Sequence, residues 1–224
     1  MSKKVISVGG SLIVPNKVDV GYLTQLRQLI NSYTNRYQFY LIAGGGKTAR
    51  DYQDAAKQLG LESKRELDDL GIRAALLNSQ LLYSIFFKER PVIIADLNAF
   101  NQSQNKIVIN GFYQHGASSD RIAVEVAARV GANQVINLSN IDMLYTKNPK
   151  ETGAQPIESA TWEEVFAITG DEWTPGMNTP FDPIAGRLAQ RHGMAVVIAN
   201  GRDLKNLERI IAEEKFVGTT IKSA

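Results

Sequence analysis

The sequence predicts an α/β protein with a mostly parallel central sheet covered by helices on both faces. Three observations carry that prediction. Short apolar, β-branched runs alternate with segments of helical apolar spacing along the whole chain. Glycine-bearing turns, Val8-Gly9-Gly10-Ser11, Ala43-Gly44-Gly45-Gly46-Lys47 and the stretch from Gly111 to Ser118-Ser119-Asp120, each lie between such a run and such a segment. The length of 224 residues suffices for one large domain with a sizeable core.

In order, residues 5–8 read as a buried strand, and Asp19 caps a helix with Val20, Leu23, Leu26 and Ile30 at helical spacing. Residues 39–43 form the second strand. The triple glycine follows, then a helix over 48–59 that stops at Gly60. A long helix carries Leu67, Leu70, Ala74, Leu77, Leu81 and Ile85 on one face. Pro91 opens a strand over 92–95, and 106–109 is another. Ser119 or Asp120 starts a helix through Ile122, Val126 and Val130 that Gly131 ends. A strand over 134–138 leads into a turn-rich functional loop over 140–156. Thr161-Trp162-Glu163-Glu164 has the pattern of a capping box. Helix 184–191, strand 195–199, helix 204–213 and strand 219–221 complete the pattern. Ligands of such sheets sit at the carboxyl ends of the strands, where the glycine turns fall.

Composition narrows the function. A formal net charge of +2 gives no field suited to nucleic acid or a membrane surface, so anion binding must come from local Lys and Arg. The chain has no cysteine, which excludes disulfides and thiolate metal sites. His115 and His192 are its only histidines, which argues against a histidine-built metal centre, and no metal-ligating residue is assigned. No apolar run nears the ~20 residues that span a bilayer. The start, Met1-Ser2-Lys3-Lys4, has no signal-peptide core, so a cytoplasmic location is expected.

Gly46-Lys47-Thr48 resembles the end of a P-loop, but Leu41 stands where that motif needs its first glycine. The turn Gly44-Gly45-Gly46 with Arg50 one helical turn on can be an anion site, or a steric turn beside a solvated arginine. In Asp68-Asp69-Leu70-Gly71 a carboxylate can accept from ribose hydroxyls, or the segment is a solvated helix face. Arg65 and Arg73 are equally open. Ser118-Ser119-Asp120 is a helix cap that can also orient a ligand. Asn140 and Asp142 lie just past a strand, where functional residues gather. Asp182 is either functional or the cap of a helix whose first turn begins with Pro183. His115 reads as a loop residue.

Together these segments resemble the amino-acid-kinase superfamily, and within it the archaeal-type uridylate (UMP) kinases. The resembling motifs are Val8-Gly9-Gly10-Ser11-Leu12, Gly44-Gly45-Gly46-Lys47-Thr48-Ala49-Arg50, Asp68 to Gly71, Gly111 to Asp120, Ser139 to Pro149, Phe181-Asp182-Pro183-Ile184-Ala185 and Gly218-Thr219-Thr220-Ile221. They occur in order over nearly the whole chain. The resemblance implies a single-domain three-layer sandwich over 1–224 and transfer of the ATP γ-phosphoryl group to UMP. It implies that Gly45, Asp68 and the loop residues Phe112, Tyr113, Gln114, His115, Gly116, Ala117, Ser118 and Ser119 hold UMP. Gly10, Ser11, Gly46 and Arg50 would cradle the ATP phosphates, and Ser139, Asn140, Tyr145 and Asn148 would line the adenosine pocket. Arg50 and Asp182 would serve catalysis, Asp182 by orienting cationic or Mg²⁺-bound groups. ATP with Mg²⁺ and a homo-oligomer, by family habit a hexamer, are implied as well.

The chain departs from the family pattern at Ser7, where many relatives have lysine, and at Met143, Asn148 and Arg187. An active, Mg²⁺-dependent enzyme is expected despite Ser7. The rival readings are a superfamily kinase for another small phosphate or carboxylate, and a nucleotide-binding protein that has lost transfer.

Overall fold

The apolar runs pair into one eight-stranded sheet in a computed structural model that describes residues 1–147, 151–170 and 179–223. The chain begins with β1 (Ser2–Val8), a single-turn helix α1 (Gly10–Ile13), α2 (Val20–Tyr33) and β2 (Tyr37–Ala43). Next come α3 (Gly46–Gln58), α4 (Lys64–Ile85), β3 (Val92–Ile94), β4 (Ile107–Asn110) and α5 (Ser119–Val130). Strand β5 (Gln134–Ser139) precedes a small hairpin of β6 (Leu144–Tyr145) and β7 (Pro156–Ile157) inside the turn-rich loop. Finally β8 (Ser159–Thr161), α6 (Trp162–Thr169), α7 (Pro183–Arg191), β9 (Ala195–Asn200), α8 (Leu204–Ala212) and β10 (Thr219–Lys222) close the fold.

The sheet order is β3-β4-β2-β1-β5-β9-β10-β8. Strands β3 through β9 in that order are parallel, and β10 joins β9 antiparallel. Alternate residues of each strand face opposite layers. Val5, Tyr40, Ile42, Val108, Val196 and Ile198 pack with α5, α6 and α7. Ile6, Phe39, Leu41, Ile109 and Val197 pack with α2, α4 and α8. The result is a three-layer sandwich with a core on each face of the sheet.

Several helix ends carry the predicted caps. Asp19 accepts the Tyr22 N–H at 2.9 Å, Thr161 and Glu164 form the reciprocal capping box, and Gly131 ends α5 in the left-handed region. Helix α5 starts at Ser119, one of the two expected positions, and Ser118 is its cap. The predicted face of α4 is corrected. Leu77 is 63% exposed, and the buried stripe is Ala74, Ala75, Asn78, Ser79 and Leu82. Small residues face inward there because α4 lies close over the glycine turn. Val20, expected on the apolar face of α2, is also exposed, because it sits in the first turn, ahead of the packed segment.

Candidate active site

The carboxyl ends of β1, β2 and β5 meet where the sheet order reverses, with β1 between its two neighbours. There the turns are stitched together. Gly44 N–H donates to Val8 O at 3.0 Å, and Gly9 N–H to Leu138 O at 3.1 Å. Gly10 and Gly46 touch backbone to backbone. A Cβ on Gly10 would lie 2.4 Å from both Gly44 O and Gly46 N, and one on Gly46 2.2 Å from the Gly10 carbonyl carbon. Gly46 also has a φ of +61°. The steric reading of these glycines is therefore correct, and it does not compete with anion binding. Helix α3 starts at Gly46 with no side-chain cap, and no acceptor among the described residues meets the N–H of Gly45 or Gly46. Two unpaired donors at the start of a 13-residue helix suit an anionic oxygen.

Arg50 is exposed on the first turns of α3 and has no ion-pair partner among the described residues. Lys47, by contrast, is held by Asp51 at 2.7 and 2.6 Å. Arg50→Ala is expected to lower turnover by about one to two decades, the worth of a charge-assisted hydrogen bond of roughly 1.5–3 kcal/mol. Its melting temperature should stay within a few degrees of the parent, because an exposed side chain without partners carries little stability. Wild-type turnover in the variant would return Arg50 to a solvated face.

The loop between β4 and α5 folds against α4. Asp68 Oδ2 accepts the Gly116 N–H at 2.7 Å and lies 3.3 Å from His115 Nδ1. His115 is a loop residue, as expected, and is also a partner of Asp68. Tyr113 turns inward, and its hydroxyl donates to Ala43 O at 2.6 Å. Burial pushes that hydroxyl's pKa up, which keeps it a donor. The Phe112 carbonyl accepts from Asn110 at 2.6 Å, and Gln114 reaches Glu125 at 3.4 Å. Phe112 and Ala117 pack against the core. Ser119 approaches Gly44, its Oγ 3.5 Å from where a Cβ would stand. A groove of about 830 Å³ runs between α3, the start of α4 and this loop, with Gln53, Arg65, Asp68 and His115 on its walls.

Asp182 does two jobs at once. Its Oδ1 caps α7 through the Ile184 N–H at 2.8 Å, and its Oδ2 accepts the Ser118 hydroxyl at 2.5 Å. Its own N–H donates to Asp120 Oδ2 at 3.2 Å, so α5 and α7 begin face to face. Burial of the Asp120 carboxyl pushes its pKa up to about 7, and the charge of Asp182 adds to that rise. The Asp182 N–H and the buried Ser7 hydroxyl oppose it. Ser7 therefore sits against a carboxyl group rather than against open solvent.

On the other side, Asn140 donates to Ser11 Oγ at 3.1 Å, Asn200 to Asp142 at 2.8 Å, and Gly201 N–H to Ser139 O at 2.9 Å. Arg202 bridges Asp19 at 3.2 Å and Ser11 O at 3.5 Å. A second groove, about 590 Å³, is walled by Asn140, Met143, Tyr145, Lys147 and Pro180. Arg187 stacks 4.0 Å over the Phe166 ring. Asn148, Pro149, Gly176, Met177 and Asn178 lie outside the described residues. Sequence reasoning missed Asn78, Asn200 and Arg202. Only the position of Asn200 at the end of β9 and of Arg202 just past it offered a signal; Asn78 offered none.

The amino acid kinase family model matches residues 2–200. Among curated relatives, the uridylate kinase of Hyperthermus butylicus is 32% identical over 219 residues, covering 95% of this chain and 95% of its own. That of Methanoculleus marisnigri is 31% identical over 227 residues, covering 99% and 96%. The solved uridylate kinase from Archaeoglobus fulgidus superposes with a TM-score of 0.81 at 26% identity, covering 99% of this chain and all of that one (100%). The UMP kinase from Ureaplasma parvum, at 17% identity, TM-score 0.82 and 99% coverage of each chain, shows the same fold.

Proposed function

The chain belongs to the amino acid kinase family, and we propose that it transfers the γ-phosphoryl group of ATP to UMP, giving UDP and ADP. The observation that carries this reading is the backbone contact of Gly10 with Gly46, which sets two turns against one uncapped helix start. The relatives named uridylate kinase support UMP as the acceptor.

In this reading UMP lies against Gly45 and Asp68 under the loop of Phe112, Tyr113, Gln114, His115, Gly116, Ala117, Ser118 and Ser119. Tyr113 shapes that loop from behind. The ATP phosphates lie along Gly10, Ser11, Gly46 and Arg50, and adenosine enters the groove walled by Asn140 and Tyr145, with Ser139 and Asn148 as its further expected contacts. A phosphate oxygen of UMP bonds to the γ-phosphorus as the bond to the β–γ bridging oxygen breaks, and that electron pair leaves on ADP. No covalent intermediate on the protein is needed. The chain's task is alignment and the stabilisation of spreading negative charge. Gly45 and Gly46 N–H groups and the Arg50 guanidinium supply donors at that place.

Mg²⁺ fits this site only in a shared mode. No group of three or more acidic or histidine side chains stands together among the described residues. Mg²⁺ commonly takes one or two carboxylates plus substrate phosphates, which the neighbouring Asp120 and Asp182 allow. Bound there, it would neutralise phosphate charge.

A homo-oligomer is part of the reading, because Tyr52 on α3, Leu59 just past its end and Leu77 on α4 are large apolar side chains left exposed. No described helix is long and apolar enough to cross a membrane. The substrates suit the cytoplasm.

The test is steady-state kinetics with UMP, CMP, AMP, acetylglutamate and isopentenyl phosphate as acceptors, with and without EDTA. UMP should give the highest kcat/KM, and EDTA should stop the reaction. Preference for another acceptor with no UMP turnover would overturn the substrate. Tight binding of both nucleotides without UDP would mark a protein that had lost transfer.

A further inference from the structure

Asn78 lies in the middle of α4, far in sequence from every glycine turn, yet it is only 2% exposed. Its amide nitrogen donates to Gly44 O at 2.8 Å and to Gly45 O at 3.4 Å. The next residue, Ser79, is also buried, and its hydroxyl lies 3.1 Å from the Tyr113 hydroxyl. Because Tyr113 spends its proton on Ala43 O, Ser79 is the donor in that pair. Two adjacent residues of one helix thus hold the carbonyls of Ala43, Gly44 and Gly45, the last through Asn78 and the first through Tyr113.

A peptide plane has one orientation for both its ends. A carbonyl held toward α4 turns the N–H of the next residue away from α4. Tying Gly44 O sets the direction of the Gly45 N–H, and tying Gly45 O sets that of the Gly46 N–H. These are the donors left without a partner at the start of α3. Glycine is the residue least able to hold such an orientation by itself.

We propose that Asn78 is a positioning residue of the transfer reaction, aiming the Gly45 and Gly46 N–H groups at the reacting phosphates. Ser79 and Tyr113 complete the tether and join it to the acceptor loop. The inference deepens the kinase reading above and rests on it. It assigns Asn78 no contact with substrate; its action passes through the turn.

The experiment compares Asn78→Leu and Asn78→Asp with Tyr40→Phe. Tyr40 is a buried β2 residue whose hydroxyl bonds Gln38 and the Phe100 carbonyl away from the site, so its variant controls for simple destabilisation. UMP-dependent kcat in Asn78→Leu should fall by about 10- to 100-fold, the usual cost of losing an orienting partner behind a site, while Tyr40→Phe keeps its kcat. In Asn78→Asp the ratio of variant to wild-type kcat should rise as pH falls from 8 to 6, since the protonated acid regains a donor. Hydrogen exchange is read on the ligand-free proteins as a second measurement. The peptide containing Gly44, whose N–H bonds Val8 O, should exchange at least tenfold faster in Asn78→Leu, with α2 unchanged.

Unchanged kcat in folded Asn78→Leu, or an equal fall in Tyr40→Phe, would overturn the proposal. So would an unaltered exchange rate at the turn. Failure of the kinase reading is seen separately, as absence of UMP turnover in the wild-type protein, and the exchange measurement stands apart from it.

Discussion

Gly46→Ala should remove UMP-dependent activity almost entirely, by about three decades in kcat/KM, the scale of losing preorganised donors at a site of charge development. The added methyl would stand 2.2 Å from the Gly10 carbonyl carbon and 2.5 Å from the Ser11 nitrogen. Both are backbone atoms, so no rotamer change can relieve the clash. The φ of +61° adds about 1–2 kcal/mol of conformational cost for an L residue. Relief requires the β1 and β2 turns to part, which also takes the unpaired N–H groups out of line. Kinetics and thermal melting check this together. The control is Gly60→Ala, where φ is +90° but nothing lies within 4 Å of the new Cβ. That variant should lose a little stability and no turnover. If Gly46→Ala turned over UMP at the wild-type rate, the interlocked turns would not be the phosphate cradle.

Much of this fold was legible because local chemistry and tertiary position agree. The β-branched runs over 5–8 and 39–43 became central strands, and Gly131 ends α5 in the left-handed conformation its position called for. Asp182 had two readings in the sequence, and the structure realises the cap while bonding the same carboxylate to Ser118. Legibility ended where burial is decided by a neighbour far along the chain. On α4 the leucine spacing points to Leu77, yet the buried stripe holds Ala74, Ala75, Asn78 and Ser79. The close approach of the glycine turn leaves room only for small side chains, and the amide of Asn78 supplies its carbonyls with donors. Strand β8, three residues long, carries too few positions to show a period. The pairing of Asp68 with Gly116 and His115 spans 48 residues at its backbone bond and leaves no local trace.

Asp120 should make the ligand-free protein less stable as pH rises toward neutrality. Its unfolded pKa is near 3.8, and burial raises the folded value to about 7. Below the first value both states are protonated and the group contributes nothing to pH dependence. Between the two, the folded chain keeps a proton that the unfolded chain releases, so stability falls with each step in pH. Above about 7 both states are ionised, and the loss is complete. A shift of that size corresponds to a few kcal/mol, or on the order of 10 °C in melting temperature for a chain of this length. Asp120→Asn removes the ionisation while its amide oxygen can still accept the Asp182 N–H. The expected result is a wild-type melting temperature that drops from pH 5 to pH 8 and a variant that drops much less. At pH 8 the variant should be at least as stable as its parent, because it no longer holds two carboxylate charges between the starts of α5 and α7. Parallel pH curves for the two proteins would mean that Asp120 ionises in the folded state as freely as in the unfolded chain, and that the Ser7 hydroxyl and the Asp182 N–H compensate its burial in full.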